Sequence, residues 1–131
     1  MGIPGRPAEP VIRGADSGIG RAKAVAFARE GADVLILYLC DDEDTKETAR
    51  LVEAAGRKAV FVSGDLSDPA HCREVVNKGI AAQGSIDVLI SNAAHQVTFD
   101  KCEDISAEEW RKTLATNVDP LCISPRRRCL I

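Results

Sequence analysis

A chain of 131 residues, 45% hydrophobic and 28% charged, has enough apolar matter for one core and too much for a disordered segment. Its net charge of −3 opposes a general nucleic-acid footprint, and no apolar run reaches membrane-spanning length. Five scattered cysteines without C-x-x-C spacing read as reduced thiols of a cytoplasmic protein, not as a disulfide frame or a zinc site.

The first ten residues carry Pro4, Pro7 and Pro10 and no apolar signal core. Gly2 would suit myristoylation, but Arg6 stands where Ser or Thr is needed. A first strand is reduced to Val11-Ile12, because a central strand is expected to be free of the flanking proline and of the charge on Arg13. Gly14-Ala15-Asp16-Ser17-Gly18-Ile19-Gly20 follows and runs into an Ala-rich segment. Glycines before a helix N-terminus let backbone N–H groups and the positive dipole end approach an anion such as a pyrophosphate. The plain alternative is a tight strand-to-helix turn. Arg21-Ala22 exclude a P-loop, which needs Lys-Ser/Thr.

The first helix is predicted from about Ile19 to Glu30, with Ile19, Ala22 and Ala26 facing inward and Gly31 as its stop. Val34 to Leu39, Ala59 to Val62 and Ile86 to Ile90, the last interrupted by Asp87, are apolar runs, the pattern of parallel strands covered on both faces. A second helix, about Glu43 to Ala55, has Asp44 and Glu47 as a capping pair and Leu51, Val52 and Ala55 facing inward. The third helix has Asp68 as cap, Pro69 in the first position, a stripe of Cys72, Val75, Val76, Gly79 and Ile80, and Gly84 as stop. After a loop at 95–105, the capping box Ser106-x-x-Glu109 opens a fourth helix with Trp110, Thr113, Leu114 and Asn117 on one face. The alternation predicts an α/β, Rossmann-like, doubly wound parallel sheet of about four strands. Pro120 and Pro125 preclude a regular helix beyond, and Arg126-Arg127-Arg128 reads as a solvated tail. The organisation expected is an irregular arm at 1–10, a half-domain at 11–118 and an irregular tail at 119–131.

With the glycine loop placed between the first strand and helix, the chain resembles the short-chain dehydrogenase/reductase family over residues 11 to about 118, N-terminal half only. Gly14, Gly18, Ile19 and Gly20 match the cofactor loop; Asp65-Leu66-Ser67 matches the acidic position that contacts adenine. Asn92-Ala93-Ala94 resembles the Asn-Ala-Gly turn beside the cofactor, and Asn117 matches the helix Asn of the catalytic tetrad. Gly18 to Val34 and 64–69 look like the bacterial general-oxidoreductase branch. The resemblance implies NAD or NADP as cofactor and an alcohol/carbonyl substrate. Candidate cofactor-binding residues are Gly14, Asp16, Ser17, Gly18, Ile19, Gly20, Tyr38, Asp65, Leu66, Asn92, Ala93 and Ala94, with Asn117 as the candidate catalytic residue.

Each position has a plainer reading. Asp65 and Asn92 are ordinary turn residues, Asn117 is a helix cap, and His71 is a surface position. His95, just after the Asn92 turn, is a minor candidate base. The family's usual Thr is replaced by Arg13, whose bulk is expected to distort the loop. Tyr38 is the single tyrosine and is followed by Leu-Cys-Asp-Asp, so the Tyr-x-x-x-Lys pair that serves as acid and base in the family does not occur in this sequence. The chain therefore reads as a truncated product of marginal stability, with its fourth strand left as an edge open to homo-oligomers or aggregation. The competing readings are the cofactor half of an oxidoreductase, a non-catalytic nucleotide-binding or pairing module, and an unstable fragment. Tyr38 and Leu39 do not choose between NAD and NADP, and the directions of Arg13 and Arg21 are open.

Overall fold

The apolar runs become four parallel strands: β1 (Pro10–Arg13), β2 (Val34–Tyr38), β3 (Ala59–Ser63) and β4 (Val88–Ser91), in the spatial order β3-β2-β1-β4. They are joined by α1 (Gly18–Arg29), α2 (Glu43–Ala54) and α3 (Pro69–Gln83), with α4 (Ala107–Asn117) following a short 3-10 turn at Cys102–Asp104. A computed structural model gives this architecture and describes residues 7–16, 18–39, 43–65 and 67–120. It is the expected doubly wound α/β sheet. After β1 the chain builds outward through β2 and β3, then crosses back to place β4 on the other side of β1. The crevice of such a fold opens where the order reverses, at the carboxyl ends of β1 and β4.

β1 is longer than the sequence suggests, and both disfavoured residues belong to it. Pro10 takes the first position, where a strand tolerates the missing N–H, and pairs in register with Val88. Arg13 takes the last position, opposite Leu37 on one side and Ser91 on the other. All four residues of β1 are buried.

Alternation along β1 and β2 divides the core. Ile12, Val34 and Ile36 pack with Ala24, Ala28 and Val52 on the face covered by α1 and α2. Val11, Leu35 and Leu37 pack with Val62 and Val75 on the α3 face. The buried line of α1 is Gly20, Ala24 and Ala28, one turn apart. This corrects the expected face: Ala22 and Ala26 are exposed, and Ile19 is 70% exposed. Small residues win because the helix lies close to the sheet; a Cβ at Gly20 would run into the Gly14 carbonyl. In α2 the buried residues are Thr45, Thr48 and Val52, with Leu51 half-buried. Asp44 and Glu47 do not act as a capping pair; their carboxylates pair with Arg21 and Arg50 instead.

The turn chemistry of α3 is as the sequence predicts. Asp68 accepts a hydrogen bond from the Ala70 N–H, Pro69 is the first helical residue, and Gly84 closes the helix in the left-handed region. Its Cys72, Val75 and Gly79 are buried, while Ile80 sits at the solvent boundary. Ser106 caps α4 by accepting from the Glu109 N–H at 3.0 Å. No residue of α4 is buried, however, and Trp110 is 58% exposed, so its apolar stripe faces no core among the described residues. No helix there is long and apolar enough to cross a membrane.

The two faces of α1 predict opposite responses to added volume. Ala24→Leu overpacks the sheet contact and is expected to destabilise by about 1–3 kcal/mol. Ala26→Leu is expected to stay within about 0.5 kcal/mol. Urea unfolding of the pair checks the assignment.

Candidate functional site

The carboxyl end of β1 is tied to three neighbours. The Gly14 N–H donates to the Leu37 carbonyl and the Ala93 N–H donates to the Arg13 carbonyl, both at 3.0 Å. The Asn92 side-chain amide donates to the Gly14 carbonyl at 3.0 Å. Gly14 has φ +65°, and a Cβ there would lie 2.8 Å from the Ala93 backbone. Glycine is needed at this point for both its dihedral angle and its bareness. The strand-to-helix turn and the turn after β4 are thus packed backbone against backbone.

The far side of the glycine loop is anchored from behind. The Asp16 carbonyl accepts from Arg21 Nη2 at 2.7 Å and from Thr48 Oγ1 at 3.0 Å. Arg21 also pairs with Asp44 at 2.6 Å, which joins the loop to α2. Its guanidinium therefore serves the backbone. Burying Thr48 costs little because its hydroxyl is fully engaged, also accepting from Arg21 Nε.

A cleft of about 500 Å³ opens at this end of the sheet. Of the predicted positions, Gly14, Asp16, Tyr38, Asp65, Asn92, Ala93 and Ala94 line it together. Gly18, Ile19 and Gly20 form the first turn of α1 and are not among its lining residues. Ser17 and Leu66 lie outside the described residues. Tyr38 stands at the end of β2 with its ring edge-on to Phe61, centroids 6.1 Å apart. Asp65 Oδ1 accepts from the Ser67 N–H at 2.8 Å. That bond, with a Ser67 side-chain hydrogen bond, holds the Asp65 carboxyl below its ordinary value, helped by the charges of His71 and Lys112.

Asn117 is not a helix cap and does not line this cleft; with His95 and Trp110 it borders a neighbouring cavity of about 300 Å³. Its Oδ1 accepts from the His95 N–H at 2.8 Å and its Nδ2 donates to the His95 carbonyl at 2.9 Å. One amide thus fastens the backbone of the Asn92–His95 turn to α4. His95 Nε2 lies 2.6 Å from Glu109 Oε1, so the Glu109 side chain goes to the histidine and does not return to the Ser106 N–H. Arg13 does not detach the loop. Its side chain is buried on the α3 side, with Nη1 donating to Ser91 Oγ at 3.0 Å and Nη2 to the Thr116 carbonyl at 2.6 Å. Burial pushes the Arg13 guanidinium below its ordinary value, and the nearby Cys72 opposes that. His71 is not a surface residue: its ring packs where a Gly64 Cβ would be, and its side chain is 16% exposed. Lys112 and Thr116 also line the cleft and were not singled out by sequence; Thr116 carried the one available signal, its place beside Asn117.

A family model described as short chain dehydrogenase matches residues 10–124. The chain belongs to the short chain dehydrogenase family. It is 43% identical over 108 residues to an uncharacterized oxidoreductase of Bacillus subtilis, YhdF, covering 82% of this chain and 37% of that protein. It is 44% identical over 109 residues to an uncharacterized oxidoreductase of Escherichia coli, YghA, with the same coverage. Among solved structures, a short chain dehydrogenase from Burkholderia cenocepacia in complex with NADP superposes with a TM-score of 0.85 at 29% identity, over 92% of this chain and 49% of that one. One from Mycobacterium paratuberculosis bound to NAD gives 0.81 at 33% identity, over 92% and 48%. The chain spans a little over a third of the length of these curated relatives and about half of the solved chains.

Two predictions follow from the geometry. Gly56 shares the positive φ of Gly14, at +74°, but a Cβ there meets nothing within 4 Å. Gly56→Ala is expected to cost about 1–2 kcal/mol, the strain alone, and Gly14→Ala clearly more; denaturant unfolding of both variants reads the difference. For Asp65 the folded value is depressed, so its contribution is full at neutral pH and is lost as pH falls through that depressed value. An NMR titration should place its midpoint below 3.8.

Proposed function

We propose that the cleft binds a nicotinamide adenine dinucleotide, NAD or NADP, and that these residues are the cofactor-binding portion of an oxidoreductase acting on an alcohol or carbonyl. The observation that carries the reading is the bare backbone at Gly14, packed against Ala93 at the point where the strand order reverses, beside a cleft of about 500 Å³. A side chain at Gly14 would collide with the Ala93 backbone and push apart the two turns that border the cleft. The residues present fit the group in that Gly14, Ala93 and Ala94 border the cleft with backbone and methyl groups at the carboxyl ends of β1 and β4.

In this reading Gly14, Asp16, Ser17, Gly18, Ile19 and Gly20 would hold the diphosphate, the start of α1 offering its unpaired N–H groups. Tyr38 would stand beside the adenosine ribose, and Asp65 and Leu66 would meet the adenine. Asn92, Ala93 and Ala94 form the wall beside the remaining half of the cofactor. Asn117 acts at one remove, because its amide is spent on His95. When bound, the dinucleotide supplies hydride transfer to or from the substrate carbon. The acid–base group that such a transfer needs is not present here in the family's form, since Tyr38 is the one tyrosine and no lysine stands four residues after it. The activity of the whole protein and its substrate are therefore part of the proposal, and cofactor binding is the part these residues can be asked to perform.

Calorimetric titration of the purified chain with NAD and with NADP, with circular dichroism on the same sample, tests the reading. Saturable binding by a folded chain is expected, and the tighter of the two names the cofactor. A folded chain that takes up neither overturns it.

A further inference from the structure

We infer that Arg13 is a positioning residue for the cleft: it hangs α4 from the end of β1 and so holds the Asn92–His95 turn in place. The inference rests on the dinucleotide reading above.

Arg13 is 3% exposed, and its hydrogen-bond partners among the described residues are neutral. One nitrogen reaches Ser91 at the end of β4; the other reaches the Thr116 carbonyl near the end of α4. Its own carbonyl accepts from Ala93. Thr116 precedes Asn117, which grips both backbone groups of His95. The connections close a ring that runs from Arg13 to α4, from α4 to His95, and back through the turn to Arg13. The turn enclosed by that ring is a wall of the cleft.

The ring matters because α4 has no buried residue to seat it. A packed apolar stripe normally fixes a helix against its sheet. Hydrogen bonds instead tie α4 to the rest of the described structure: Arg13 to Thr116, Asn117 to His95, and Glu109 to His95. The guanidinium is suited to the task, since its planar fork can donate from separate nitrogens in two directions while a short hydroxyl cannot span from β4 to α4. Its Nε is buried without a partner among the described residues, so the side chain is kept there at a cost that its two bonds must offset.

The test uses R13M, which keeps length and loses the donors, and R13K, which keeps the charge and loses the fork. Dinucleotide affinity is measured by calorimetry, and residue-resolved amide exchange by NMR. In R13M, affinity for the preferred dinucleotide is expected to fall roughly tenfold. Exchange at Ala93 and His95 is expected to rise, while protection of Leu35 and Leu37 in β2 stays unchanged. In an R13A variant, added methylguanidinium should recover part of the affinity, which a general packing role would not allow. Wild-type affinity and wild-type exchange at His95 in R13M would overturn the inference. So would a loss of protection spread evenly through the sheet, which would make Arg13 a residue of the fold and not of the turn. Should R13M fail to fold, R13K gives the same comparison. If the wild-type chain binds neither dinucleotide, the functional reading fails, and exchange at His95 without ligand still decides the role of Arg13.

Discussion

The end of β1 is the point on which the rest of the site depends. Arg13 and Gly14 sit at the carboxyl end of a strand with neighbours on both sides, and backbone bonds run from there to β2 and to the turn after β4. A central strand end has no spare space, which is why Gly14 must be bare. Polar groups buried there are costly unless they find partners. The Asn92 amide and the Ala93 N–H meet that demand by bonding to the Gly14 and Arg13 carbonyls. The cleft is then the volume left in front of these mutually satisfied backbones.

A buried guanidinium at such a point is costly without a counter-charge. The bonds to Ser91 and Thr116 spread the cation over two neutral acceptors. What the chain gains is an attachment for α4. The helix is properly started by Ser106, yet its Trp110 and Leu114 meet little of the sheet. Polar ties at its carboxyl end and at Glu109 therefore set where it lies. This is a different solution from the one in α1, where Gly20, Ala24 and Ala28 let the helix settle directly onto the strands.

Local backbone chemistry was legible in the sequence. The Asp68-Pro69 start, the Gly84 stop and the Ser106 cap act within a few residues of themselves, and each is where the sequence puts it. Four strands in alternation with helices were legible for the same reason, because continuous apolar runs have few other uses. Long-range choices were not. The inward face of α1 is decided by how closely Gly14 approaches, and hydrophobicity alone pointed to Ile19 instead. Asn117 is bonded to a residue 22 positions away, and Arg13 to one 103 positions away. No helical or strand period carries information over those separations. The family likeness supplied Gly14, Asp65 and Asn92 as a set, and these three share one cleft. It could not supply the use made of Arg13, because the family's usual residue there is shorter.

The two arginines next to the glycine loop also bear on cofactor choice. A residue that reads the 2′ position of an adenosine ribose has to stand near the end of β2. Arg21 is held by the Asp16 carbonyl and by Asp44, and it does not line the cleft. Arg13 lines it but directs its donors to Ser91 and Thr116. Recruiting either to a phosphate would first break bonds that hold the loop or the turn in shape. Among the described residues at the end of β2, Tyr38 and the exposed Leu39 line the cleft, and neither carries charge. Of the cations lining the cleft among the described residues, Arg13 is assigned to holding the backbone, which leaves Lys112.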